Sequence, residues 1–111
     1  MKIDPEHVYM LYIKHGVTPN RGLRHNSTTH CCALDILAKE ELGKWSNHVL
    51  SDWAIPKFGY KFVTGFYEAF DSIRDHVLDY ESEEYNLGII NGKEVRNYLV
   101  DKGFYSTLIR V

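Results

Sequence analysis

The chain has 111 residues and a mass of 12.9 kDa, enough for one domain around one hydrophobic core and too little for a separate cofactor domain. With 44% hydrophobic and 25% charged residues, 3 Pro and 8 Gly, the composition excludes a disordered tail, a collagen-like rod and a disulfide-dense scaffold. A net charge of −2 and a pI near 6.3 remove the attraction to phosphate that basic nucleic-acid and anionic-membrane binders use, so neither is expected as a partner.

The first twenty residues carry Asp4, Glu6, His7, Lys14 and His15, which interrupt any signal-peptide core, and no apolar run approaches the roughly 18 residues of a bilayer crossing. The expectation is a cytoplasmic protein. The two cysteines, Cys31 and Cys32, are neighbours, and a bond between them would close a strained ring, so both are read as free thiols.

Asp4-Pro5-Glu6 places a cap, a proline at the first helical position and an acid in the first turn. Val8, Leu11, Tyr12 and His15 follow at i, i+3, i+4, i+7 before Gly16, which predicts a first helix over 5–15. Residues 17–29 have no period and hold Pro19, Asn20 and Gly22, so they read as a loop ending in candidate caps Asn26 through Thr29. A second helix is predicted from His30 to Leu42, with Cys31, Leu34, Leu37, Ala38 and Leu42 as its buried stripe and Gly43 as its stop. The spacing of Trp45, His48, Val49, Leu50 and Trp53 suits a short helical stretch, with Pro56 marking the next start.

Residues 60–101 carry an internal repeat at an offset of 23: Phe62, Gly65, Phe66, Ala69 and Asp71 align with Tyr85, Gly88, Ile89, Gly92 and Glu94. Each copy puts small residues four apart on one helical face. Glycine inside a helix costs about 0.5–1 kcal/mol relative to alanine, so two copies at matching positions predict a close approach to the backbone, with the other copy as the favoured neighbour. A groove beside Gly65 and Gly88 is the functional alternative. The flanking stripes are Phe62, Phe66, Phe70 and Ile73 in one helix and Tyr85, Ile89, Val95 and Leu99 in the other.

Between the two helices, residues 68–84 hold seven acids (Glu68, Asp71, Asp75, Asp79, Glu81, Glu83, Glu84) and one base, Arg74. No glycine interrupts them and apolar residues intervene, which excludes a calcium loop. Ser82 followed by Glu83 and Glu84 is a helix start. The other acids form either a solvated surface or a docking patch for a basic partner. After Gly103 the run from Phe104 to Val111 is rich in β-branched and aromatic residues and reads as a strand, pairing with residues 1–3, with part of 17–24, or with a second copy in a homodimer.

His25, His30, Cys31 and Cys32 form the densest cluster of reactive side chains. A thiol in a first helical turn beside an imidazole is the minimum for a cysteine nucleophile, and the same residue types bind zinc. The spacing fits neither well: no orienting acid or amide is placed by it, and adjacent residues diverge by about 100° on a helix. No phosphate loop, nucleophile elbow or dinucleotide fingerprint is present, so no cofactor or metal is expected.

The sequence therefore predicts a mainly α single domain over residues 1–111, a bundle of four to five helices with a short C-terminal strand. Its predicted function is that of a small non-enzymatic binding protein, an adaptor or inhibitor. The protein-binding surface would be built on the 57–101 helix pair, with Asp71, Asp75, Asp79, Glu81, Glu83, Gly65 and Gly88 as candidate binding residues. The alternative is a thiol or metal site at residues 25–32.

Overall fold

Asp4 and Gly16 bound the first helix as their residue types require. In the computed structural model, which describes residues 2–19, 30–71, 77 and 81–104, α1 spans Pro5–His15. The Asp4 carboxylate accepts from the Glu6 N–H at 3.1 Å, and Gly16, at φ 64, turns its N–H back to the Ile13 carbonyl. Val8, Leu11 and Tyr12 are buried. The fourth member of the expected stripe, His15, instead meets Glu40 at 2.8 Å, and Lys14 meets the same carboxylate at 2.7 Å, tying α1 to the next helix.

That helix begins later than the sequence period implies. Strand β1 (Thr18–Pro19) pairs in parallel with β2 (His30–Cys31), Thr18 opposite His30, and the Tyr12 hydroxyl donates to the Cys31 carbonyl at 2.8 Å. These two contacts hold residues 30 and 31 extended, so α2 runs only over Ala33–Leu42, with Cys32 at its N-cap. Its buried set is also wider than one stripe. Ile36 and Asp35 are buried beside Leu34 and Ala38, whereas Leu42 is 40% exposed, because α1 and the Leu50–Ala54 segment cover α2 on two sides.

Of the stretch whose spacing predicts a helix, Trp45 and His48 lie outside helical structure and only the part from Val49 onward is helical. Leu50–Ala54 winds wide, with the Ile55 N–H reaching back to Leu50, and continues into α3, Ile55–Phe58, which carries Pro56 in its first turn. Gly59 then turns the chain at φ 89, a conformation closed to side-chain-bearing residues without strain, and starts α4, Tyr60–Phe70. Helix α5, Glu83–Leu99, starts at Ser82, whose hydroxyl accepts from the Tyr85 N–H at 3.2 Å.

α4 and α5 form the most extensive contact in the molecule. Phe62, Phe66 and Phe70 extend a ladder of rings that begins at Trp53 and Phe58, with centroid spacings of 5.4, 5.8, 6.3 and 6.1 Å along the series. The second stripe is buried throughout, from Tyr85 and Ile89 to Val95 and Leu99. Ile73 lies outside the described residues, as does the expected C-terminal strand beyond Phe104. Of the partners expected for that strand, Ile3 bonds through its N–H and carbonyl to Asn91 of α5 and Thr18–Pro19 pairs with β2, while residues 20–24 lie outside the described residues.

The protein is thus a mainly helical globule, five α-helices and one short parallel pairing among the described residues. No helix there is long and apolar enough to cross a membrane.

Candidate functional site

The small-residue faces of α4 and α5 meet directly. A Cβ on Gly65 would fall onto the Tyr85 carbonyl oxygen and lie 3.0 Å from the Ile89 nitrogen. One on Gly88 would fall onto the Phe62 carbonyl oxygen, 2.8 Å from the Phe66 nitrogen, and one on Gly92 would strike the Phe66 carbonyl oxygen. Each glycine is occupied by the backbone of the other helix, and that packing accounts for both copies of the repeat without a ligand between them.

The acids of the connection have separate surroundings. Glu68 accepts the hydroxyl of Tyr85, Asp71 stands at the C-terminal end of α4, Glu81 is half-buried just before Ser82, and Glu83 is exposed in the first turn of α5. Asp75 and Asp79 lie outside the described residues.

Cys31 and Cys32 are free thiols, each 1% exposed. Consecutive side chains of an extended segment point to opposite sides, and here both sides are covered. Burial and then the neighbouring Asp35 carboxyl, 3.6 Å from the Cys32 sulfur, push the Cys32 thiol well above its ordinary value. Burial likewise raises the Tyr12 hydroxyl, followed by the charges that Cys31, Cys32 and Asp35 would carry. The N-terminus of α2 favours a thiolate at Cys32, but desolvation outweighs it, and the arrangement stabilises a neutral thiol. Of the imidazoles read with these thiols, His25 lies outside the described residues and His30 is described only in its backbone. Among the described residues no group of three or more His, Cys, Asp or Glu could hold a metal ion.

Recesses open on the surface of the described residues, one of about 400 Å³ among Leu42, Trp45, His48 and Asp52 and two that bear on function. The larger, of about 630 Å³, lies where residues 2–7, the end of α2 and the Trp53–Phe58 segment converge. Ile3, Leu37 and Phe58 line it with apolar surface. At one side Glu41 accepts from the Trp53 indole N–H at 2.8 Å and from the Lys57 ammonium at 2.8 and 2.9 Å, and that ammonium stands 5.6 Å from the indole ring centre. Hydrogen bonds from Lys57 and then Trp53 hold the Glu41 carboxyl below its ordinary range, and Lys14 and then His15 do the same for Glu40. The opposite wall is fixed by α5. Buried Asn91 accepts from the Ile3 N–H at 2.7 Å and donates to the Ile3 carbonyl at 2.9 Å, while Lys2 pairs with Glu94 at 3.0 Å.

The smaller recess, of about 300 Å³, lies on the outer face of α4. Leu50 and Ile55 form one bank, Val63 and Tyr67 the floor, Tyr60 one end and Glu68 the other. Tyr60 is 66% exposed, the most exposed large apolar side chain described.

Sequence reasoning did not single out Glu41, Trp53 and Lys57 as a unit. The only local trace is the four-residue spacing of Trp53 and Lys57. It also passed over Asn91 and Arg96, both buried; the Arg96 guanidinium donates to the Ala69 carbonyl at 2.8 Å in the last turn of α4. Their helical spacing from Gly88 and Gly92 places them on the packed face, and that was the available signal.

Comparison of the chain with protein-family models, with curated proteins and with solved structures finds no match.

Proposed function

We propose that this protein is a non-enzymatic binding protein, an adaptor or inhibitor, whose protein-binding surface is the outer face of the α4–α5 pair. The observation that carries this reading is the recess on α4: an apolar floor of Val63 and Tyr67, an exposed tyrosine at one end and a carboxylate, Glu68, at the other. Aromatic side chains at the edge of an apolar pocket are the residues that dominate protein interfaces. The occupant is a partner segment with an apolar anchor for the floor and a Lys or Arg beside it, because Glu68, Asp71 and Glu81 make that end of the pair acidic. The alternative at residues 25–32 has less behind it, because Cys31 and Cys32 are both buried and burial pushes the Cys32 thiol up.

Selection of displayed random peptides on the immobilised protein tests this reading. The expected outcome is enrichment of sequences that pair an aromatic or aliphatic anchor with a nearby base. Their binding should fall at least tenfold in Tyr60→Ala and in Glu68→Gln with the helical circular dichroism unchanged. Failure to enrich any consensus, or binding indifferent to both substitutions, overturns it.

A further inference from the structure

The larger recess is a separate site, and its chemistry is specific. We propose that it binds a small primary alkylammonium ligand, whose charged head takes the place that the Lys57 side chain occupies between Glu41 and Trp53.

The site is built before any ligand arrives. The Trp53 ring is buried, and its N–H fixes one oxygen of the Glu41 carboxylate, so an aromatic face and an oriented anion converge on one point. Lys57 shows which group that point accepts. Its ammonium contacts both oxygens of Glu41 and lies within cation–π range of the indole, an arrangement that uses the carboxylate charge and the ring quadrupole together. The resident ammonium is also easily displaced. The Lys57 and Glu41 side chains are 41% and 50% exposed, and an ion pair this open to water contributes little to stability. Lys57 can move its charge into solvent on a flexible four-carbon stem, leaving Glu41 and Trp53 in place.

The rest of the recess selects what carries the amine. Its volume of about 630 Å³ lies in the range of small-molecule sites, and Ile3, Leu37 and Phe58 offer an apolar bed for a short hydrocarbon or aromatic body. The other two acids of the lining are engaged, Asp4 by the Glu6 N–H and Glu40 by Lys14 and His15, and Lys2 pairs with Glu94. The exchangeable partner of Glu41 is therefore the ammonium of Lys57, and an incoming amine competes with that one group.

Two-dimensional NMR of the full chain tests the proposal, because the indole N–H of Trp53 bonds to Glu41 and reports directly on that carboxylate; Trp53→Phe assigns its signal apart from that of Trp45. The probes are 2-phenylethylammonium and, as an isosteric anion, 3-phenylpropionate. The amine should shift the Trp53 indole signal saturably at millimolar concentration, and the carboxylate should not. Lys57→Met, which removes the resident ammonium from an exposed position, should tighten amine binding at least fivefold, and Glu41→Gln should weaken it at least tenfold. An indole signal that neither wild type nor Lys57→Met moves on adding the amine overturns the proposal, as does equal binding of the anion. Unchanged affinity in Lys57→Met overturns it without reference to Glu41→Gln, which alters a fold contact. Loss of this site would leave the α4 surface proposal untouched, since the two share no residue.

Discussion

The α4–α5 interface and the recess beside α2 are both junctions between elements, yet they are joined by opposite means. Along α4 and α5 two backbones touch through Gly65, Gly88 and Gly92, leaving no volume that a side chain could enter. Beside α2 the elements stand apart and long polar side chains bridge them, Lys57 and Trp53 to Glu41 and Lys14 and His15 to Glu40. Backbone contact gives a joint with one register and no tolerance for added atoms. Side-chain bridging gives a joint whose parts can exchange partners at little cost. Stability is concentrated in the first, and adaptability in the second.

The contrast can be broken most severely at the glycines. Gly88→Ala places a methyl group on the Phe62 carbonyl, and because both clashing groups are backbone the helices must separate; thermal melts should show a loss of about 3 kcal/mol or more. A loss below about 1 kcal/mol would mean that the helices do not approach this closely. Next comes Asn91, a buried polar side chain that joins the N-terminal segment to α5. Asn91→Leu strands the Ile3 N–H and carbonyl and should cost about 1–3 kcal/mol, with amide exchange at Ile3 accelerating beyond the global change.

The buried thiol sets an alkaline limit. Cys32 and Tyr12 ionise less readily in the folded chain than in the unfolded one, so their contribution is whole below the unfolded values, near 9.0 and 10.0, and is lost as pH rises through those values toward the raised folded ones. Melting temperature should fall above about pH 9, less steeply in Cys32→Ala, and iodoacetamide should label both cysteines slowly at neutral pH. The smallest effect belongs to the bridges. Glu40 and Glu41 titrate below 4.5 in the folded chain, so their contribution is present above that value and is lost as pH falls through the depressed folded ones. Both groups are open to solvent, so Glu41→Gln should change the acid limb of the stability profile only slightly, and high salt should reduce the difference further.

The two regions also differ in how legible they are in the sequence. The boundaries of α1, the ring ladder of α4 and the matched glycines are written in spacings of three and four residues, and a period survives whatever surrounds it. The start of α2 was misplaced because a distant segment, Thr18–Pro19, draws His30 and Cys31 into extended pairing, a contact with no local trace. The period that places Leu34 in the core places Leu42 there too, yet Leu42 stands at the last turn of α2 and is 40% exposed. The recess was least legible. Glu41 lies 12 and 16 residues from the two side chains it joins, and each of the three reads by itself as an ordinary surface or core residue.

The ring ladder from Trp53 to Phe70 has a spectroscopic consequence. Four benzene rings and one indole at regular spacings of 5.4–6.3 Å, in fixed mutual orientations, form a chiral array of coupled chromophores threaded through the core. Near-ultraviolet circular dichroism and the transfer of excitation from phenylalanine to the indole should both be strong in the native chain. The dichroism should vanish when side-chain order is lost even if the helices persist, while the transfer, which needs only proximity, should survive in a compact state. The molecule thus carries its own optical gauge of tertiary order, set along the axis that connects its rigid joint to its adaptable one.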